Sequence, residues 1–117
     1  MQLRIERWHP SFAAQFSDVA KYPFRVVGFA DSVPAGSIGA EDAGGALVVR
    51  HHFVDEGFRN LGLGGMLLDE LVLLGAELGF QRIEAAVPPG DRIAKLTYES
   101  AKFKAVRIML CRELLPG

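Results

Sequence analysis

Residues 53–65 read Phe-Val-Asp-Glu-Gly-Phe-Arg-Asn-Leu-Gly-Leu-Gly-Gly, and no other passage constrains the fold as tightly. An apolar run over residues 47–54 ends there, an arginine and closely spaced glycines follow, and a leucine-rich helical pattern opens at Leu63. Glycines at a helix start leave the backbone N–H groups unobstructed, and the helix dipole favours an anion in front of them. The passage suits phosphate oxygens and points to a phosphate-bearing ligand. Other glycine-rich loops fit less well. No Gly-Lys-Ser/Thr is present, and Leu67 stands where a dinucleotide fingerprint needs its third glycine.

The remaining pattern places this passage in a sheet. Leu67, Leu71, Leu74 and Leu78 share one helical stripe, with Gly79 as a fitting stop. Leu3 and Ile5 alternate with charged residues as in a strand, and Phe12, Phe16 and Val19 predict a helix that ends at Tyr22-Pro23. Residues 25–30 read as a strand, 31–36 as a turn, 37–40 as a short strand and 41–45 as a second turn, so two hairpins precede Leu47. Residues 82–87 read as a strand halted by Pro88-Pro89-Gly90, and Asp91 can cap a helix carrying Ile93, Ala94, Tyr98 and Ala101. Val106, Ile108 and Leu110 alternate along a closing strand. The order is β-α-β-β-β-α-β-α-β. The strand–helix–strand unit over 47–87 predicts a parallel pair with a right-handed crossover, and the hairpins are antiparallel. The expected fold is α/β (α+β), a mixed, mostly antiparallel sheet with helices on both faces.

Bulk properties narrow the partners. A chain of 117 residues, half of them apolar, is read as a single domain over 1–117 with its own core. A net charge of −1 gives no basic field for nucleic acid or an anionic membrane, and neither is expected as a partner. Asp69, Glu70 and Glu77 interrupt the best apolar stretch, and the first residues alternate polar and apolar, unlike a leader peptide. The lone Cys111 offers neither an internal disulfide nor a zinc site, so no metal is expected. A cytoplasmic protein is the reading that follows.

Arg59-Asn60-Leu61-Gly62-Leu63-Gly64 fits the pattern Arg/Gln-x-x-Gly-x-Gly/Ala at the expected distance from the strand end at Val54. Downstream, Asp91, Ala94, Tyr98, Glu99 and Phe103 fit a second pattern, usually Asn-x-x-Ala-x-x-x-Tyr-Glu-x-x-Gly-Phe. On these two blocks, which span roughly residues 25–103, the chain resembles the GNAT superfamily of acyl-CoA N-acyltransferases. The resemblance implies that fold, with its parallel pair splayed apart, and acetyl-CoA as acyl donor. It implies that Arg59, Asn60, Leu61, Gly62, Leu63 and Gly64, with Gly65 adjacent, hold the pyrophosphate. His52, Phe53 and Val54 match the strand segment that pairs with the pantetheine arm, and the His52 amide falls where the thioester carbonyl is polarised. Asp91, which opens the second block, is implied as a further coenzyme-binding residue. Tyr98 matches the general acid that returns a proton to the leaving thiolate. Pro88 and Pro89 remove donors from the facing strand and help hold the pair apart. For the base, His51 and His52 are candidates because imidazole titrates near neutrality, and they point to opposite faces of the sheet. Asp55, Glu56, Glu41, Glu84 and a water chain remain open as alternatives.

The chain departs from the family pattern in three places. About twenty residues separate the first strand from the second, room for one short helix where the family generally has two. Fourteen residues follow Phe103, room for one strand, which leaves an edge that a second copy can cover and makes a homodimer the expectation. Asp91 replaces the usual Asn, and Lys102 stands where a left-handed Gly is usual. The function implied is transfer of an acetyl group to a primary amine, on a small molecule or a protein, by direct attack. The competing reading is a degenerate binding or scaffold protein that still holds the coenzyme.

Overall fold

The computed structural model describes residues 1–115. Five strands form one sheet in the order β1-β2-β3-β4-β5. They are β1 (Leu3–Arg7), β2 (Phe24–Ala30), β3 (Val33–Ala43), β4 (Ala46–Val54) and β5 (Ile83–Glu84). The first four pair antiparallel, and β4 pairs parallel with β5. Helix α1 (Leu63–Glu77) makes the crossover, and α2 (Arg92–Ser100) follows β5. The β3–β4 hairpin turns through Gly44 (φ 64°) and Gly45 (φ 86°), the two positive dihedrals that its two-residue turn requires. The mixed sheet and the splayed parallel pair are as the sequence led us to expect: β5 meets β4 only at Leu47 and Val48.

Each face of the sheet carries its own apolar cluster, because side chains alternate across a strand. Val26, Ala30, Ile38 and Leu47 pack beneath Leu63, Leu67, Leu68 and Leu71 of α1, and α2 adds Tyr98 to this cluster. Each leucine buried this fully stabilises the fold by about 1.5–3 kcal/mol. The helix sits close to the sheet, since a Cβ on Gly75 would come within 2.9 Å of the Leu47 Cδ2. On the other face, Phe16, Val19, Val27 and Phe29 pack with Trp8, Phe12 and Tyr22.

Four elements differ from expectation, one of them β5, which was expected over residues 82–87 and is regular only at Ile83–Glu84. The helix predicted from Phe12, Phe16 and Val19 is a single 3-10 turn, Pro10–Phe12, followed by further tight turns. Bonds from Val19 N–H to the Phe16 carbonyl and from Tyr22 N–H to the Val19 carbonyl close those turns. The apolar side chains face inward at the predicted positions, but Ser17 and Asp18 disfavour a helix interior, so the second face is covered by turns. β3 is longer than expected because Val33–Ala43 continues through residues that read as a turn. The closing strand over 106–110 is absent: these residues take no regular structure, and Val106, Ile108 and Leu110 are 78%, 85% and 89% exposed. A strand needs a ladder to join, and β5, halted before Pro88-Pro89, offers only two residues. The segment reaches the sheet through Arg107, which donates to Glu84 at 2.9 Å.

Replacing Leu67, which is fully buried, with alanine should cost about 2–5 kcal/mol of unfolding free energy in urea titration. The same change at Leu73, 56% exposed on α1, should cost under about 0.5 kcal/mol.

Candidate functional site

The site begins with one extra residue in β4. Gly39 pairs with His51 and Ala40 with Val49, so Arg50 has no partner on β3 and forms a bulge. Before it, the Leu47 amide donates to the Arg82 carbonyl, toward β5, at 3.1 Å. Beyond it, the Asp55 amide donates to the Ala35 carbonyl, toward β3, at 2.8 Å. Because successive backbone groups point to alternate edges, Phe53 and His51 also turn toward β3, whereas His52 and Val54 turn away. The Val54 carbonyl accepts from Arg59 Nε at 3.0 Å, as that direction requires. The His52 amide therefore faces the gap where β5 has parted from β4.

The same bulge decides where the imidazoles go. His52 points to the α1 face, where Nε2 lies 2.9 Å from the Gly64 carbonyl and Nδ1 lies 2.9 Å from the Tyr98 hydroxyl. A carbonyl only accepts, so Nε2 carries the proton. Burial lowers the pKa of His52 below its ordinary 6.5, although the Gly64 bond opposes this. In the neutral ring Nδ1 is then the acceptor, and Tyr98 donates its O–H to it. Burial also pushes the Tyr98 phenol up to about 12. Lys102 does take the left-handed conformation (φ 69°) after α2, despite its Cβ. The turn brings the Phe103 amide to the Tyr98 carbonyl at 3.0 Å and packs the Phe103 ring 5.1 Å from that of Tyr98.

Next to this pair, Asn60 (φ 67°) and Gly62 (φ 85°) bend the chain into α1, whose N-cap Gly62 supplies no capping side chain. The first amides of the helix, at Leu63, Gly64 and Gly65, open outward as bare donors. A Cβ on Gly65 would meet no protein atom within 4 Å, and one on Gly64 would make only ordinary contacts at 3.7 Å. Packing therefore does not demand glycine at either position, although glycine costs a helix interior about 1 kcal/mol relative to alanine. Space left above bare amides suits a phosphate group that approaches closely, and the residues present fit a nucleotide pyrophosphate. Leu61 is exposed beside them, and Arg59 lies 5.9 Å from the Phe53 ring. Asp91 caps α2 by accepting from the Ala94 amide at 3.0 Å.

His51 occupies the opposite face. Its Nε2 is 2.9 Å from Ser37 Oγ and 3.6 Å from an oxygen of Asp18, and its ring stacks on Tyr22 at 6.2 Å. Burial lowers its pKa, Asp18 pulls it back up, and Lys21 lowers it further. A groove of about 100 Å³ on this face is lined in part by Asp18, Ser37, Phe53 and Asp55. The structure thus joins His52, Tyr98 and the Gly64 carbonyl on one face and separates His51 from them. Sequence reasoning did not single out Ser37, Asp18 or the Gly64 carbonyl. The one signal in the sequence was Ser37, a hydroxyl inside the apolar stretch 33–40, which the structure buries to 2% exposure. Among the described residues no group of three or more His, Cys, Asp or Glu could hold a metal, and no helix is long and apolar enough to cross a membrane.

Residues 2–103 match the model of the family described as Acetyltransferase (GNAT) family. No curated protein matches the sequence significantly. Among solved structures, the aminoglycoside N-acetyltransferase AAC(6')-Iy in complex with CoA superimposes with a TM-score of 0.77 at 16% identity, covering 96% of this chain and 100% of that one. The ribosomal-protein-S18-alanine N-acetyltransferase from Escherichia coli gives 0.74 at 14% identity, with coverages of 91% and 80%. The ribosomal-protein-alanine N-acetyltransferase from Brucella melitensis biovar Abortus 2308 gives 0.74 at 17%, with coverages of 97% and 100%. At these identities the likeness concerns the fold.

The two buried imidazoles have a consequence for stability. Their pKa values lie below the ordinary 6.5, so on acidification the unfolded chain takes up protons that the folded chain does not. Stability should be complete above about pH 7, fall as pH drops through 6.5, and level off below the folded values. Thermal melts between pH 8 and 5 should show this drop, and a smaller one in His52→Gln.

Proposed function

The chain belongs to the GNAT family of acetyltransferases, and on that premise we propose that it is an acetyl-CoA-dependent N-acetyltransferase acting on a primary amine by direct attack. One observation carries the proposal: an outward-facing His52 amide and the Tyr98 hydroxyl converge beside an uncapped, glycine-lined helix start. Arg59, Asn60, Leu61, Gly62, Leu63, Gly64 and Gly65 hold the pyrophosphate by backbone amides and the Arg59 charge. The backbone at Phe53 and Val54 continues the ladder with the pantetheine arm, and Asp91 anchors the helix that carries Tyr98. The proposed domain runs over residues 1–117, of which the last two lie outside the described residues.

The chemistry divides between the sheet's faces. The amine approaches from the His51 face, where Asp18 and Asp55 attract its ammonium form. His51, neutral at physiological pH through its burial, removes a proton. The nitrogen–carbon bond forms as the carbon–sulfur bond breaks, the His52 N–H stabilises charge on the carbonyl oxygen, and Tyr98 protonates the thiolate. The acceptor is a small-molecule amine or a protein amine, and the protein works in the cytoplasm. A homodimer completes the assembly: residues 106–110 of one copy add to the open β5 edge of the other. The alternating, exposed Val106, Ile108 and Leu110 support this.

Calorimetric titration should show micromolar binding of acetyl-CoA that the double variant Arg59→Glu, Gly62→Asp loses. With a responsive amine, Tyr98→Phe should lower kcat roughly 100-fold, in the range for loss of a general acid. Binding without transfer to any of a broad amine panel would favour the scaffold reading instead. Light scattering should give the dimer mass, and Ile108→Glu should halve it.

A further inference from the structure

We propose that the His52 side chain is the proton relay of Tyr98, so that the proton Tyr98 gives to the leaving thiolate is replaced, in the same step, by one from His52 Nδ1. The inference rests on the acetyltransfer reading above and assigns the imidazole to the thiol side of the reaction. Its basis is a continuous chain of groups. The Gly64 carbonyl accepts from Nε2 at 2.9 Å, and Nδ1 accepts from the Tyr98 hydroxyl at 2.9 Å. The rings meet edge to face, 5.6 Å apart at 87°, so the imidazole has little freedom to turn away. Phe103 packs on the far side of the phenol.

This arrangement is wrong for an acid about to act. The Tyr98 proton is committed to Nδ1, and the free lone pairs of the hydroxyl oxygen can accept a proton but give none. It is the correct arrangement after the transfer, when a thiol S–H points at that oxygen. The state before it follows by moving two protons. Protonated His52 donates from Nδ1 to the Tyr98 oxygen, which turns its own O–H toward sulfur. In the step itself the Nδ1–H bond breaks as a new O–H bond forms, and the old O–H bond breaks as S–H forms. Imidazolium and thiolate become imidazole and thiol, and Tyr98 is neutral on both sides. The attack releases one proton from the amine and sulfur takes one up, so the cycle needs no other reactant.

A relay also removes a difficulty. A phenol near pKa 12 is a weak donor to a thiolate whose conjugate acid is near ~8.5, and leaving a bare phenolate in a buried site would oppose the transfer. Reprotonation in the same step means that no phenolate forms. Charge near the imidazole is sparse. Tyr98 faces it from α2 and only the Gly64 carbonyl from α1, while His51 on the other face of β4 disfavours its protonation. A thiolate arriving beside Tyr98 supplies the negative charge that draws the proton onto Nδ1.

His52→Gln tests the relay, because glutamine can still accept from Tyr98 and donate to Gly64 but cannot carry the proton. With acetyl-CoA its kcat should fall roughly 100-fold, with KM within about twofold, and the fall of kcat at high pH should disappear. The acetyl thioester of 4-nitrothiophenol, whose thiolate leaves without protonation, should restore most of the loss. Equal losses with both thioesters, or an unchanged kcat and pH profile, would overturn the relay alone. A wild type inactive with both thioesters and every amine would overturn the acetyltransfer reading, and the relay with it. Nitrogen NMR of the wild-type imidazole needs neither turnover nor a folded variant. It should show the proton on Nε2, and a proton on Nδ1 in the resting protein would overturn the assignment.

Discussion

The residue that organises this molecule is Arg50, through its backbone alone. As the extra member of a bulge it reverses the parity of β4. A regular strand would send the His52 amide into the ladder with β3 and put His51 on the α1 face. With the bulge, the amide faces the opening between β4 and β5, and the imidazoles exchange sides. The opening exists because β5 pairs with β4 at only Leu47 and Val48. A bulge without the splay would leave the amide bonded to a neighbouring strand. A splay without the bulge would expose the wrong residue.

Packing turns this register into a site. The buried leucines of α1 hold the helix against the sheet, and the close approach at Gly75 lets them do so. That docking fixes the helix start, so the Gly64 carbonyl lies within reach of His52, and the orphan amides of the first turn line the entrance. Lys102 spends some conformational strain to bend the chain after α2, and the bend keeps Phe103 against Tyr98. The second face is built by aromatic contacts among short turns, and there Asp18, Ser37 and His51 meet. The two faces thus present different groups, an imidazole beside Ser37 and Asp18 on one and a phenol–imidazole pair on the other.

Much of this was legible in the residues, and the limits have physical causes. Local features carried the strand–loop–helix unit, both hairpins and the cap at Asp91, because turn chemistry and apolar periodicity are written over a few residues. The opposite orientation of His51 and His52 followed from strand geometry alone. Which of them faces Tyr98 did not, since a single bulged residue inverts the answer and Arg50 carries no mark of it. Phe12, Phe16 and Val19 were read as helical from their spacing, wrongly, because 3-10 turns carry the same spacing onto one face. The alternation of Val106, Ile108 and Leu110 predicts a strand only where an edge can receive it, and that depends on elements far away in sequence.

The central claim is that backbone donors of the opened strand and of the helix start receive one ligand together. Titration of unlabelled acetyl-CoA into nitrogen-15-labelled protein, followed by amide NMR, tests it most directly. The account predicts that the amides of His52, Val54 and residues 62–65 shift together along one saturation curve, with those of β1 unmoved. Saturable binding whose shifts spare His52 and the helix start would contradict it.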